Sequence, residues 1–249
     1  MSLPASGAQA ALTQIGMELR LTARRSENVL VTAIIPAVVL VFFASVDLIG
    51  GIAGDPLTFL VAGALTLAII ATSLVNLGIA TGYERHYGVL KRLGGSPLSR
   101  SGLLTAKVAT VFVVEVLQFV LLGVIAVWLG WRPGADASVA VFAAAWILGT
   151  AAFAGLGLLL AGTLRAEATL ALTNAAFIAC LLLGGIVVPV DHLPAPLAAL
   201  ASVLPAAALS DAFRAALGAG ADDLVRSLAI LAAWAVGAVA LTARTFRWE

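Results

Sequence analysis

The stretch Leu57–Gly82, LTFLVAGALTLAIIATSLVNLGIATG, runs for 26 residues without an Asp, Glu, Lys or Arg. About 20 apolar residues carry a helix across the hydrocarbon of a bilayer, and a buried helix of a soluble domain seldom stays apolar for so long. Five more runs resemble it: Val29–Val46, Val108–Trp131, Ala137–Leu164, Ala168–Val190 and Ser227–Ala243, of which Val108–Trp131 alone holds a charge, Glu115. Hydrophobic residues make up 62% of the chain and charged ones 11%, against roughly 45–50% and 25% in a soluble domain. The chain therefore reads as an all-α polytopic membrane protein with six transmembrane helices.

A seventh apolar stretch, Leu193–Leu209, is interrupted by Pro194, Pro196 and Pro205. Each proline removes a backbone donor and crowds the preceding turn, which a straight lipid-facing helix does not tolerate. We read it as a re-entrant hairpin between the fifth and sixth helices, followed by a short helix around Asp211–Leu217. Six spans put both termini on one side of the membrane. With the termini inside, Arg20, Arg24, Arg25, Arg85, Lys91, Arg92, Arg100, Lys107, Arg165, Arg244 and Arg247 lie inside, and Arg132, Arg214 and Arg226 outside. That asymmetry obeys the positive-inside rule. The expected location is the inner (plasma) membrane, multi-pass, with cytoplasmic termini and an uncleaved first span.

The whole chain, 1–249, reads as one permease domain. Residues 1–28 form an N-terminal cytoplasmic interfacial helix, 83–101 a cytoplasmic segment and 189–218 the outer re-entrant segment. Cys180 is the only cysteine, which excludes an internal disulfide and a cysteine-based metal site. Asp191-His192 lacks further ligands for a metal. Trp128 and Trp131 close the third span, where indole rings favour the water–lipid boundary. Nothing suggests a nucleic-acid partner.

Between the second and third spans lies Tyr83–Arg100, YERHYGVLKRLGGSPLSR, the densest collection of charge in the chain. At 100° per residue, Tyr83, Tyr87, Val89, Leu90 and Leu93 share one arc of a helix and Glu84, Arg85, Gly88, Lys91 and Arg92 the other. Such an element lies flat at the membrane boundary, ended by Gly94-Gly95. Two readings fit, a solvated loop facing anionic headgroups and a docking element. Gly88, in mid-helix where it costs about 1 kcal/mol relative to Ala, favours docking, because a missing side chain lets another backbone approach.

These residues also resemble a known pattern. In Tyr83–Arg100, Glu84, Arg85, Gly88, Leu90, Leu93, Pro97 and Leu98 resemble the coupling segment of permease subunits of type-2 ABC exporters of the multidrug or antibiotic-export kind; His86 departs from it, standing where a second acid is common. The stretch GGIVVPVDHLPAPLAALASVLPAAALSDAFRAAL is similar to the family's outer re-entrant segment through Gly185, Pro189, Pro194, Pro205, Asp211 and Arg214. Pro36 stands where the family's first span has a proline. The resemblance implies a membrane subunit that pairs with a second permease copy, as a homodimer or heterodimer, and with two copies of a cytoplasmic ABC ATPase. ATP and Mg belong to that partner, since this chain has no Gly-x-x-x-x-Gly-Lys-Ser/Thr loop and carries no cofactor itself. It assigns Glu84, Arg85, Gly88, Leu90, Lys91, Arg92, Leu93 and Pro97 to ATPase coupling.

Polar residues inside the spans are the remaining candidates. Glu115 and Gln118 share a face of the third span, and a charge at the bilayer centre costs about 2.5–3.5 kcal/mol on insertion scales. Glu115 reads as a structural tie between helices, or as a proton relay, a contact for cationic cargo or a gate hinge. Thr72, Ser73 and Asn76 in the second span and Thr169, Thr173 and Asn174 in the fifth read as packing groups or as the lining of a translocation path. Gly78-x-x-x-Gly82 permits close helix approach. With few aromatic or charged residues available to a path, the expected cargo is lipophilic or amphipathic; a cell-surface polysaccharide or lipid-linked glycan is the alternative cargo. A proton-coupled secondary transporter using Glu115 is the alternative mechanism. An intramembrane enzyme finds no supporting constellation.

Overall fold

The computed structural model describes residues 7–24, 26–46, 55–94, 100–220 and 223–246, and among these every regular element is helical. The helices are α1 (Gly7–Arg24), α2 (Ser26–Ser45), α3 (Pro56–His86), α4 (Val89–Gly94), α5 (Arg100–Trp128), α6 (Val139–Thr163), α7 (Ala166–Leu183), α8 (Ala195–Ala201), α9 (Pro205–Ala216) and α10 (Leu224–Thr245). Among the described residues, α3, α5, α6, α7 and α10 are long and apolar enough to cross a bilayer, and α8 and α9 form a pair bent by 75°. The protein is an all-α polytopic membrane protein.

Helix α3 is the central post. It begins where Asp55 accepts from the Leu57 amide and the Thr58 hydroxyl, with Pro56 at the first helical position, where a missing N–H costs nothing. Almost every residue from Thr58 to Leu74 is buried, because α2, α5, α6, α7 and α9 surround it. The residues facing outward on the other helices, such as Val113, Leu117, Val120 and Val124 of α5, are apolar and exposed. This is the arrangement of a protein whose outer solvent is lipid.

Glycines set how close the helices come. A methyl group on Gly157 of α6 would lie 2.8 Å from the carbonyl oxygens of Ser73 and Leu74 of α3. Gly78 faces Gly157 and Thr173, and Gly82 faces Thr169, so the Gly78-x-x-x-Gly82 ridge is the seam with α6 and α7. At this seam α3 winds as a π-helix from Ile70 to Asn76, a geometry that offsets the carbonyls from their usual partners and recurs at functional sites.

Several boundaries differ from the sequence expectation. The first expected span, Val29–Val46, coincides with α2 up to Ser45, and Thr32–Ser45 is an apolar helical stretch among the described residues. Ser26, Glu27 and Asn28 occupy the first turn of α2 and Ser45 bonds back to the Val41 carbonyl at its end. The fifth span, expected to reach Val190, stops at Leu183. Gly185 there has φ +61°, which turns the chain so that Ile186 tucks its backbone against Gly63 of α3. The helix after the hairpin starts at Pro205 rather than near Asp211, since Pro205 suits the first turn and the small residues after it let α9 lie against α3. There the Ser210 hydroxyl donates to Thr66 Oγ1 at 3.2 Å.

The two tryptophans part company. Trp128 is 79% exposed, as a boundary residue should be. Trp131 is folded inward. The Trp131 amide donates to the Ala126 carbonyl and the Gly130 amide to Val127, a Schellman turn made possible by φ +92° at Gly130. Its indole N–H then donates to Thr58 Oγ1 at 2.9 Å, joining α5's end to the start of α3.

Candidate functional site

At the far end of α3, away from Asp55, the predicted continuous amphipathic helix is two helices. The chain leaves α3 at His86, passes Tyr87 and Gly88, and resumes as α4. Gly88 has φ +69°, a left-handed conformation that costs other residues roughly 1–2 kcal/mol. A Cβ there would meet nothing within 4 Å. The left-handed turn accounts for a glycine at this position. The arcs change accordingly.

Leu90 is fully buried among Leu77, Leu103, Val111, Ala154, Leu158 and Phe246. Glu84 and Arg85 turn inward: Arg85 Nη1 donates to the Ala161 carbonyl of α6 at 2.8 Å, and Lys107 Nζ donates to Glu84 Oε2 at 2.5 Å. The outward surface consists of His86, Tyr87, Val89, Lys91 and Arg92. Tyr87 is 66% exposed, stacks on Tyr83 at 6.2 Å between ring centres and meets the His86 ring edge-on. The side chain of Leu93 and the whole of Pro97 lie outside the described residues.

Lys107, which the sequence reading did not single out, is the hub of this end. Buried at 3% exposure, it holds Glu84 of α3 and also Glu18 of α1, at 3.3 Å. Gln14 Nε2 donates to the same Glu18 oxygen. Helix α1 therefore turns a polar stripe toward the bundle and leaves Met17 outward. The signal available in the sequence was a lysine at the threshold of an apolar run, with an acid one turn before the preceding loop.

Deeper in, Glu115 gathers the polar residues of the spans. Ser73 Oγ donates to its Oε1 at 2.7 Å, while Trp146 Nε1 at 2.6 Å and Thr150 Oγ1 at 2.7 Å donate to its Oε2. The side chain is wholly buried. One turn on, Thr72 Oγ1 donates to Gln118 Oε1 at 2.9 Å. Glu115 thus joins α3, α5 and α6 while the neighbouring Thr72–Gln118 pair joins α3 and α5, whereas Asn76 lines a cleft below and Asn174 sits on the exposed side of α7, bonded to the Leu170 carbonyl. Trp146 and Thr150 were missed because an apolar run gives no sign of which helix faces an acid.

At the opposite end, Arg214 of α9 donates to the Gly185 carbonyl at 3.0 Å, pairs with Asp211 and lies over the Phe59 ring at 4.9 Å. It fixes the turn after α7 onto α3. Pro189 precedes the 3₁₀ turn Val190–His192, Pro194 precedes α8 and Pro205 opens α9.

Among the described residues, no group of His, Cys, Asp and Glu suits a metal ion. No curated protein matches the chain. A family model described as ABC-2 type transporter does match, over residues 12–217, from α1 through α9. The bundle of apolar helices, its short helix after α3 and the bent pair before α10 all fall within or beside that match, and the chain belongs to the ABC-2 type transporter family, as the transmembrane subunit of an ABC transporter.

Proposed function

We propose that this chain moves a lipophilic or amphipathic molecule (a drug, antibiotic or lipid-like compound) outward across the inner membrane, driven by ATP hydrolysis on a separate ABC ATPase. Two ATPase subunits, which bind ATP and Mg, serve two permease copies, and the termini face the cytoplasm. The observation that carries this reading is the seating of the turn after α3. Leu90 plugs the base of the bundle and Arg85 and Glu84 tie the turn to α6 and α5, so that Tyr87, Val89, Lys91 and Arg92 stand on a rigid support. A support of this kind passes a push on the exposed face into three helices at once. The apolar outer faces of α5 and α7 leave surface for lipid and for a second copy.

Glu115 supports an ATP-driven mechanism over proton coupling. Three donors from α3 and α6 engage both of its oxygens in a fully buried site, an arrangement suited to tying helices together.

The test is coexpression of the chain with an ABC ATPase, copurification in mild detergent, and uptake of a lipophilic dye by inverted vesicles with and without ATP. ATP-dependent uptake that needs both polypeptides is the expected result. Movement of glycan alone would replace the cargo; dye transport by this chain without ATP would replace the mechanism.

A further inference from the structure

Between α1, α3 and α5 the structure leaves a cleft of about 70 Å³, room for roughly five waters at 10–15 Å³ each. Its walls are of two kinds. Glu18, Thr22, Thr72, Asn76, Glu84, Lys107 and Thr110 supply polar groups, and Leu21, Leu77, Ala80, Val111 and Val114 supply an apolar wall. Among these lining residues Lys107 is the single cation, and it is shared by two carboxylates, Glu84 at 2.5 Å and Glu18 at 3.3 Å.

Formal charges in the cleft therefore sum to minus one. Arg85, the nearest other cation in sequence, is turned away onto the Ala161 carbonyl. An excess carboxylate charge beside buried groups is costly until a cation neutralises it. The hydroxyls of Thr22, Thr72 and Thr110 and the side-chain oxygen of Asn76 are further acceptors for N–H groups. The apolar wall, in turn, suits methylenes. We propose that this cleft binds the ammonium head of a cationic amphiphile, with Glu84 and Glu18 holding the charge and Leu77, Ala80, Val111 and Val114 covering the first carbons of its tail.

This is a binding site in its own right, independent of whether the bound molecule is transported. Failure of the binding test leaves the ATP-driven reading untouched, and failure of transport leaves the binding result standing. Two sources share the chemistry, a free lipophilic amine and the headgroup of an aminophospholipid.

The experiment is titration of the full-length protein in phosphatidylcholine nanodiscs with decylammonium, decanol and decyl sulfate, read by calorimetry. Saturable binding of decylammonium at one site per chain, with decanol and decyl sulfate at least about tenfold weaker, is expected. Glu84→Gln should weaken decylammonium by a similar factor. Ala80→Phe, which fills the cleft and leaves Glu18, Glu84 and Lys107 in place, should abolish binding while the melting temperature stays near wild type. Nanodiscs with added phosphatidylethanolamine then identify the source: competition assigns the lipid headgroup, and undiminished affinity assigns a free amine. Equal binding of decanol by the wild type, or full binding by a folded Ala80→Phe protein, would overturn the proposal.

Discussion

The Ser73 hydroxyl donates to Glu115 Oε1 across 2.7 Å, joining the π-wound part of α3 to the middle of α5. Because Trp146 and Thr150 of α6 donate to the other oxygen, one carboxylate holds three helices. Replacing it with Ala leaves three buried donors without an acceptor and should lower stability by about 2 kcal/mol or more. Glu115→Gln keeps one acceptor oxygen and should cost less. Thermal unfolding in detergent orders the three proteins. ATP-driven transport by Glu115→Gln should persist at reduced yield; its complete loss in a stable protein would point to proton coupling instead.

Gly88 tests the turn. Gly88→Ala meets open space but must adopt φ +69°, at a cost of about 1–2 kcal/mol, whereas Asn enters this conformation more readily. The Ala variant should stimulate the partner ATPase less than the Asn variant. Equal stimulation by both would show that the left-handed turn is immaterial to coupling.

Tyr87 and Lys91 are exposed, with their side chains at the surface rather than in the core. Tyr87→Ala and Lys91→Glu should therefore melt within about 0.5 kcal/mol of wild type yet copurify less ATPase. A normal yield of complex from both variants would place the docking surface elsewhere.

Two glycines make a paired control. Gly157→Ala would bring a methyl within 2.8 Å of two α3 carbonyls and should force α6 away from α3, with a large fall in folded yield. Gly237→Ala meets nothing within 4 Å on α10 and should be neutral or stabilise by up to about 1 kcal/mol. Size-exclusion profiles of the two variants distinguish them.

The long spans were legible because lipid leaves a crossing segment few options: it must be apolar and satisfy its own backbone, so Leu57–Gly82 reads directly as a helix. The bent pair was legible for the same reason, through Pro194 and Pro205. What composition does not carry is direction. Gly88 reads as a missing side chain until its φ is known, and Glu84 and Arg85 read as display residues until Lys107 and Ala161 are found beside them. Glu115's partners come from 31 and 35 residues away on α6, where nothing in an apolar run marks Trp146 or Thr150 as facing inward. Asn174 shows the converse, since a polar side chain within a span is spent on its own helix.

A π turn contains one residue more than the α turn it replaces. Rewinding Ile70–Asn76 as ordinary α-helix would swivel everything below it by about 100°, a single residue's rotation. Above it the post is gripped by Ile186; below it hang the stacked rings of Tyr83 and Tyr87. The surplus residue thus sets the angular offset between the two halves of the shaft, and losing it would turn the lower tip like a screwdriver while the upper half stood still.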